Sequence, residues 1–327
     1  MQFGISDVTI RFQSQRVQTC QAAPQQAATL EGKTYVYHHP DIALAINIAL
    51  ITGRPLLIEG PSGCGKSSLA VNVALSLGRR FYQHVVTNRS EAQELLWTTD
   101  NIRRLNDAQA NQLLPLPAYI EPGALWWAMD PDSASQRGST EPLDERWLPI
   151  DPDVFATAEH TSNGTASGAV VLIDEIDKAD PDMPNGLLVP LGSLRFTVTP
   201  TMSLVAATEP PLVMITTNNE RELPPAFLRR CVRLELPPPT TDTLIEIAQA
   251  VDPNAGYDTA FLRKIADAVQ RIHQSGDRST PCSTAEYLDT VRACHELNLT
   301  ADSADFERLT RIVLQTSPRD RDESNWS

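Results

Sequence analysis

Short apolar runs punctuate the chain at PLLIEG (55–60), FYQHVVT (81–87), AVVLID (169–174), LVMITT (212–217) and VRLEL (232–236). Runs of this length, bounded by glycine or polar residues, predict buried strands. Helical patterns lie among them. DIALAINIALITG places apolar residues at helical spacing and stops at Gly53, and Ser67 to Leu77 reads as a further helix. Strands that alternate with helices predict an α/β fold, a parallel sheet covered by helices.

Proline at PPPTTD (237–242) ends this pattern, and four helical patterns follow. The clearest puts Leu262, Ile265, Ala266, Val269 and Ile272 on one face. The expected organisation is an arm or linker over 1–33, an α/β domain over 34–238, a helical lid domain over 239–316 and a frayed tail, SPRDRDESNWS, over 317–327. The arm joins a short alternation, Val8 to Phe12, to a Gln/Ala-rich segment with little apolar content. Residues 130–168 hold eight acidic and two basic residues among many Ser, Pro and Gly, and are expected to form a partly flexible surface insertion. There is no internal repeat.

Charge narrows the partners. Among 327 residues, 27 Lys+Arg stand against 41 Asp+Glu, a net charge of −14, so no overall positive field draws the molecule to nucleic acid or to an anionic membrane. No run approaches the ~18 apolar residues that span a bilayer, and the N-terminus lacks a signal-peptide layout, so a soluble cytoplasmic protein is expected. Five scattered cysteines without paired metal spacing fit reduced thiols rather than disulfides or zinc. Lysine occurs only at Lys33, Lys66, Lys178 and Lys264, so a motif that demands lysine stands out.

Lys66 lies in such a motif. Gly60-Pro61-Ser62-Gly63-Cys64-Gly65-Lys66-Ser67 is a complete G-x-x-x-x-G-K-S between an expected strand and an expected helix. Its glycines let successive N–H groups turn toward a phosphate chain, the helix N-terminus adds partial positive charge, Lys66 reaches the outer phosphates and the Ser67 hydroxyl is suited to Mg²⁺. Ser68 completes the candidate nucleotide-binding set. A chance match is the competing explanation, and the flanking strand and helix weigh against it.

Val170 to Ile173 bury a strand that delivers Asp174 and Glu175 to its exposed end, where parallel sheets bind ligands. Asp174 is the candidate second metal-shell residue and Glu175 the candidate activator of a hydrolytic water. The alternative is a buried strand meeting an acidic turn, IDEIDKAD, whose Asp177 and Asp180 are solvated. Asn218, directly after LVMITT, is a candidate to hold the attacking water or the γ-phosphate, against a plain asparagine turn. Arg229 and Arg230 follow a short helical signal in PPAFLRRC; either suits an arginine finger offered to a neighbouring subunit, against an exposed pair in weak salt bridges.

These elements, in this order and followed by a helical domain, resemble the AAA+ ATPases. GRPLLIEGPSGCGKSSLA, EPGALWWA, VVLIDEIDKADPDMPNGLL and ITTNNERELPPAFLRRC are similar to the MoxR branch, within a group that carries an LWW stretch and often occurs in bacterial conflict systems. The resemblance covers about residues 35 to 300 and is strongest over the nucleotide motifs. It implies a three-layer P-loop fold with a helical lid, Lys66 and Ser67 as the Walker A pair, Asp174 and Glu175 as the Walker B pair, and Asn218 as the sensor. It further implies ATP and Mg²⁺, a homo-oligomeric ring, most simply a hexamer, and a protein client bearing a von Willebrand A-type domain. The second sensor arginine expected in the lid departs from the pattern: Ala285 stands there, with Arg278 and Arg292 as substitutes.

Two further groups remain open at this point. Trp126 and Trp127, within Gly123 to Asp130, suit either core packing or a projecting hairpin. Tyr37, His38 and His39 suit either an adenine edge or ordinary packing. Two rival functions stand beside partner remodelling: a nucleotide-gated scaffold with incidental turnover, and a DNA-directed motor, which the acidic balance disfavours.

Overall fold

A computed structural model describes residues 12, 15, 17–19, 33–155, 168–275, 283–300 and 303–314. Most of the expected arm, residues 156–167 of the acidic insertion, Arg278 and the tail lie outside the described residues.

The core is a parallel sheet of five strands: β1 (Leu56–Glu59), β2 (Arg80–Val85), β3 (Ala169–Asp174), β4 (Leu212–Thr217) and β5 (Val232–Glu235). Their spatial order is β5-β1-β4-β3-β2, so β4 separates β1 from β3. All four residues of β1 and all six of β4 are buried, as continuous apolar runs covered on both faces must be. Helix α1 (Asp41–Thr52) stops where Gly53 takes a left-handed φ of 66° and returns its N–H to Ala49. Helix α2 (Lys66–Leu77) packs against the sheet through Leu69, Ala70, Val73 and Ala74.

Trp126 and Trp127 belong to a short helix, Ala124–Met129, and both are buried in the main apolar cluster. The core reading therefore holds over the projecting hairpin. The Trp126 ring meets Phe196 edge-on, with centroids 6.1 Å apart.

Over its described part, the acidic segment, expected as a partly flexible surface insertion, holds a defined position against the sheet edge. Strand β2 is the sheet edge, and residues 151–155 cover it: Asp153 Oδ1 accepts the Phe81 N–H at 2.9 Å, Val154 N–H donates to the Phe81 carbonyl at 3.1 Å, and Phe155 stacks on Phe81 with centroids 5.4 Å apart. Exposed strand edges invite unwanted pairing, and this segment occupies the edge instead. Composition hid this because the adjacent apolar pair Val154 and Phe155 sits in an acidic, proline-containing stretch that composition alone reads as surface.

A second compact unit comprises Gly60–Gly65 together with the described residues from Leu236 onward. Its helices are α4 (Thr241–Val251), α5 (Thr259–Ser275), α6 (Thr284–Glu296) and α7 (Ala304–Leu314). Leu244, Leu262, Ile265, Val269, Tyr287, Val291 and Phe306 form its core.

Candidate functional site

Sheet register brings the carboxyl ends of β1, β4 and β3 side by side: Glu59 pairs with Thr217, and Ile173 with Ile215. Ligand-binding loops of open parallel sheets leave from this edge. Here they are the glycine loop after Glu59, Asp174 and Glu175 after Ile173, and Asn218 after Thr217.

The first two side chains of α2 reach the neighbouring strand ends. Ser67 Oγ lies 2.9 Å from both carboxylate oxygens of Asp174, and Lys66 Nζ donates to Asn218 Oδ1 at 2.7 Å. Lys66 is buried, and an ammonium removed from water is tolerated only among polar partners. Four of the candidates, Lys66, Ser67, Asp174 and Asn218, are thereby brought together.

Glu175 is fixed beside them. Its φ of 60° is left-handed, a conformation that costs a non-glycine residue about 1 kcal/mol or more. Its N–H donates to Thr216 Oγ1 at 2.8 Å, and Thr216 Oγ1 in turn donates to Asp174 Oδ1 at 2.5 Å. Lys178 Nζ donates to the Glu175 carboxylate at 2.5 Å, a contact that raises the Lys178 pKa above its ordinary value.

Asp177 is buried rather than solvated. Its Oδ2 accepts the N–H groups of Asn218 and Glu220, each at 3.0 Å, so this carboxylate sets the turn that presents Asn218. Asp177 Oδ1 has no hydrogen-bond partner among the described residues.

Gly63 and Gly65 of the loop have φ of 77° and 89°. That left-handed backbone is what lets N–H groups converge on an anion, and glycine adopts it without steric cost. Within the second unit, the Gly63 carbonyl accepts the Thr284 N–H at 2.9 Å, and a Cβ at Gly63 would sit 2.0 Å from the Ser283 Cβ. Ser283 and Glu286 form a reciprocal capping box at the start of α6. Beside Ala285, the start of α6 thus meets the loop through backbone within this unit. Arg292 is instead 4.0 Å from Asp289 on its own helix.

Arg229 and Arg230 are exposed just beyond a one-turn helix, α3 (Pro225–Leu228), and contact none of Ser67, Asp174 and Asn218 among the described residues. Tyr37 is buried and its hydroxyl donates to Asn72 Oδ1 at 2.9 Å, a packing role. His38 Nδ1 lies 3.2 Å from the Val36 carbonyl, and His39 Nδ1 is 3.8 Å from Asp41.

Sequence reasoning gave no role to Thr216 or Lys178 and took Asp177 only as a solvated member of an acidic turn. Thr216 carried a signal, a hydroxyl in the penultimate position of an apolar strand next to the acidic strand end. Asp177 and Lys178 carried none, because an acidic turn looks alike whether its carboxylates are buried or solvated.

The profile of the AAA domain family, dynein-related subfamily, matches residues 55–231, from the start of β1 to the end of the arginine segment. The chain belongs to this AAA family. Membership supports nucleotide-dependent ATPase activity, and AAA+ ATPases generally bind ATP with Mg²⁺ and commonly assemble into rings. Among solved structures, a point mutant of Thermotoga maritima RuvB is similar at 16% identity and a TM-score of 0.45, covering 85% of this chain and 69% of that one. The Thermotoga maritima RuvB Holliday junction branch migration motor is similar at 15% identity and a TM-score of 0.42, covering 84% and 67%. No curated protein matches the sequence.

The AAA domain's own donors fit a magnesium ion. Mg²⁺ prefers hard oxygen ligands and is usually held by one or two protein groups plus phosphates and water. The Ser67 hydroxyl and Asp174 carboxylate are such oxygens and already meet at 2.9 Å. No group of three or more His, Cys, Asp or Glu side chains forms a fuller protein cage among the described residues. Among those residues, no helix is long and apolar enough to cross a membrane.

Proposed function

We propose that this AAA domain hydrolyses ATP with Mg²⁺ as a subunit of a homo-oligomeric ring, and uses turnover to remodel or activate a protein client. The observation that carries this reading is the Ser67–Asp174 contact: a hydroxyl and a carboxylate separated by 107 positions in sequence meet at 2.9 Å beside a buried lysine.

In this reading the N–H groups of Gly60, Pro61-flanked Ser62, Gly63, Cys64 and Gly65, with Lys66, Ser67 and Ser68, bind the phosphate chain of ATP. Ser67 and Asp174 hold Mg²⁺, which when bound neutralises charge on the outer phosphates. Thr216 fixes the Asp174 carboxylate, and Glu175 orients and deprotonates the attacking water. Asn218, placed by Asp177, holds that water or the γ-phosphate, while Lys66 offsets charge on the departing chain. Arg229 or Arg230 completes the site of the adjacent subunit, which suits their exposure.

The finer assignments follow the motif resemblance. The LWW stretch and the ITTNNERELPPAFLRRC segment support a MoxR-type ring, most simply a hexamer, with a client bearing a von Willebrand A-type domain, in bacterial defence against phage and in the cytoplasm.

Glu175→Gln tests the reading. It keeps the shape and the Lys178 neighbour but removes the base, so phosphate release should fall by about 10²-fold or more while nucleotide binding stays. Unchanged turnover would remove Glu175 from catalysis and leave a nucleotide-gated scaffold.

A further inference from the structure

Arg54 is unassigned by the nucleotide motifs, yet its guanidinium has an unusual target. Nε donates to the Arg230 carbonyl at 3.1 Å, and Nη2 donates to the carbonyls of Arg229 and Cys231 at 2.9 and 2.7 Å. Three successive carbonyls leaving α3 are thus gathered by one side chain. These carbonyls lie at and just beyond the C-terminal cap of a single-turn helix, and a helix that short has little stability of its own.

The same stretch is tied from beneath. Phe227 and Cys231 are buried, and the Val232 N–H donates to the Pro55 carbonyl at 2.8 Å, next to Arg54. A cavity of about 280 Å³ lined by Gly53, Arg54, Leu188, Leu191, Arg229 and Arg230, among others, runs beside it. Packing is therefore incomplete on that side, and the guanidinium supplies the missing constraint. Arg54 is itself exposed, so its contribution is direction rather than burial.

We infer that Arg54 is a positioning residue for the arginine pair: by clamping the carbonyls of residues 229–231 it fixes the direction in which the Arg229 and Arg230 side chains leave the subunit. This rests on the proposed role of that pair in a neighbour's site. Because Arg54 stands two residues before β1, the clamp also roots the pair on the strand that carries the glycine loop. Lysine cannot replace it, since one ammonium lacks the planar fork that reaches three carbonyls at once.

The test is subunit mixing. Arg54→Ala should lower kcat by about 10²-fold, as loss of orientation does, with nucleotide affinity unchanged. A Lys66→Ala chain binds no nucleotide but presents an intact arginine pair. Mixed with it, Arg54→Ala should regain phosphate release well above the sum of the two variants assayed alone, because its intact site then faces a clamped pair. Arg54→Lys, which keeps charge and bulk, should show the same defect and the same rescue in milder form, and decides the matter if the alanine variant does not fold. The control is Arg229→Ala/Arg230→Ala mixed with Lys66→Ala. If the control is rescued and neither Arg54 variant is, the positioning role is wrong and the finger stands. If the control is not rescued, the finger reading fails and the Arg54 inference with it.

Discussion

Lys66 Nζ and Asn218 Oδ1 lie 2.7 Å apart, joining the first residue of α2 to the residue that follows β4. Each group offsets part of the other's desolvation cost, and in the proposed function both face the outer phosphates of ATP. Asn218→Ala should leave ATP binding nearly intact while kcat falls about 10²-fold, the usual cost of removing one polar group that stabilises a transition state. Lys66→Ala should instead abolish binding. A fluorescent-nucleotide titration run beside steady-state phosphate release separates the two, and equal loss of both for Asn218→Ala would remove the sensor role.

Gly63 cannot carry a side chain. Its φ is 77° and an added Cβ would approach the Ser283 Cβ to 2.0 Å, far inside contact distance. Gly63→Ala should destabilise the chain by about 1–3 kcal/mol from backbone strain alone, with steric displacement of the α6 start in addition, and should weaken nucleotide binding. Ser283→Gly removes the Cβ contact but leaves the Ser283 Cα 2.7 Å from the added Cβ, so the double variant should recover only a small part of the stability in a thermal melt. Recovery to the level of Ser283→Gly alone would show that the backbone conformation carries no cost.

The strands and the glycine loop were legible because they are local: continuous apolar runs have few alternatives to a buried sheet, and a phosphate loop needs contiguous residues. Even the Gly53 stop of α1 was readable. What escaped is what depends on three-dimensional neighbours. Nothing near Phe155 distinguishes a loose acidic loop from one that caps the β2 edge. Asp177 is buried only because Asn218 and Glu220 bring their N–H groups to it from more than 40 positions away. Arg54 reaches carbonyls 175 to 177 positions distant, and a guanidinium bound to backbone leaves no pattern in side-chain chemistry.

Trp126 marks where the LWW stretch acts. The ring is fully buried, meets Phe196 edge-on and directs its Nε1–H at Ser133 Oγ, 3.3 Å away. Trp126→Ala should cost roughly 3–5 kcal/mol, the range for emptying a large aromatic site in a packed core. Trp126→Phe should cost clearly less, since most of the volume stays. Denaturant titration reads both, and a near-neutral alanine variant would mean that this helix is not part of the cooperative core.

His84 gives the fold a defined response to acid. It lies on β2, where burial lowers its pKa below 6.5 while Glu94, 4.0 Å from the ring, pulls the other way. The unfolded chain takes up a proton as pH falls through about 6.5, whereas the folded chain resists until lower pH, so stability is complete above that point and declines as pH drops toward the folded pKa. Asp153 has the opposite sign: burial raises its pKa above 3.8, so its contribution is fully present below 3.8 and is lost as pH rises through the folded value. Asp153 opposes the His84 response wherever the two windows meet, so the His84 variant is what isolates the histidine's share. The melting temperature should fall between about pH 7.5 and about pH 5.5, and His84→Gln should flatten that slope. An unchanged slope in the glutamine variant would place the acid response on other groups.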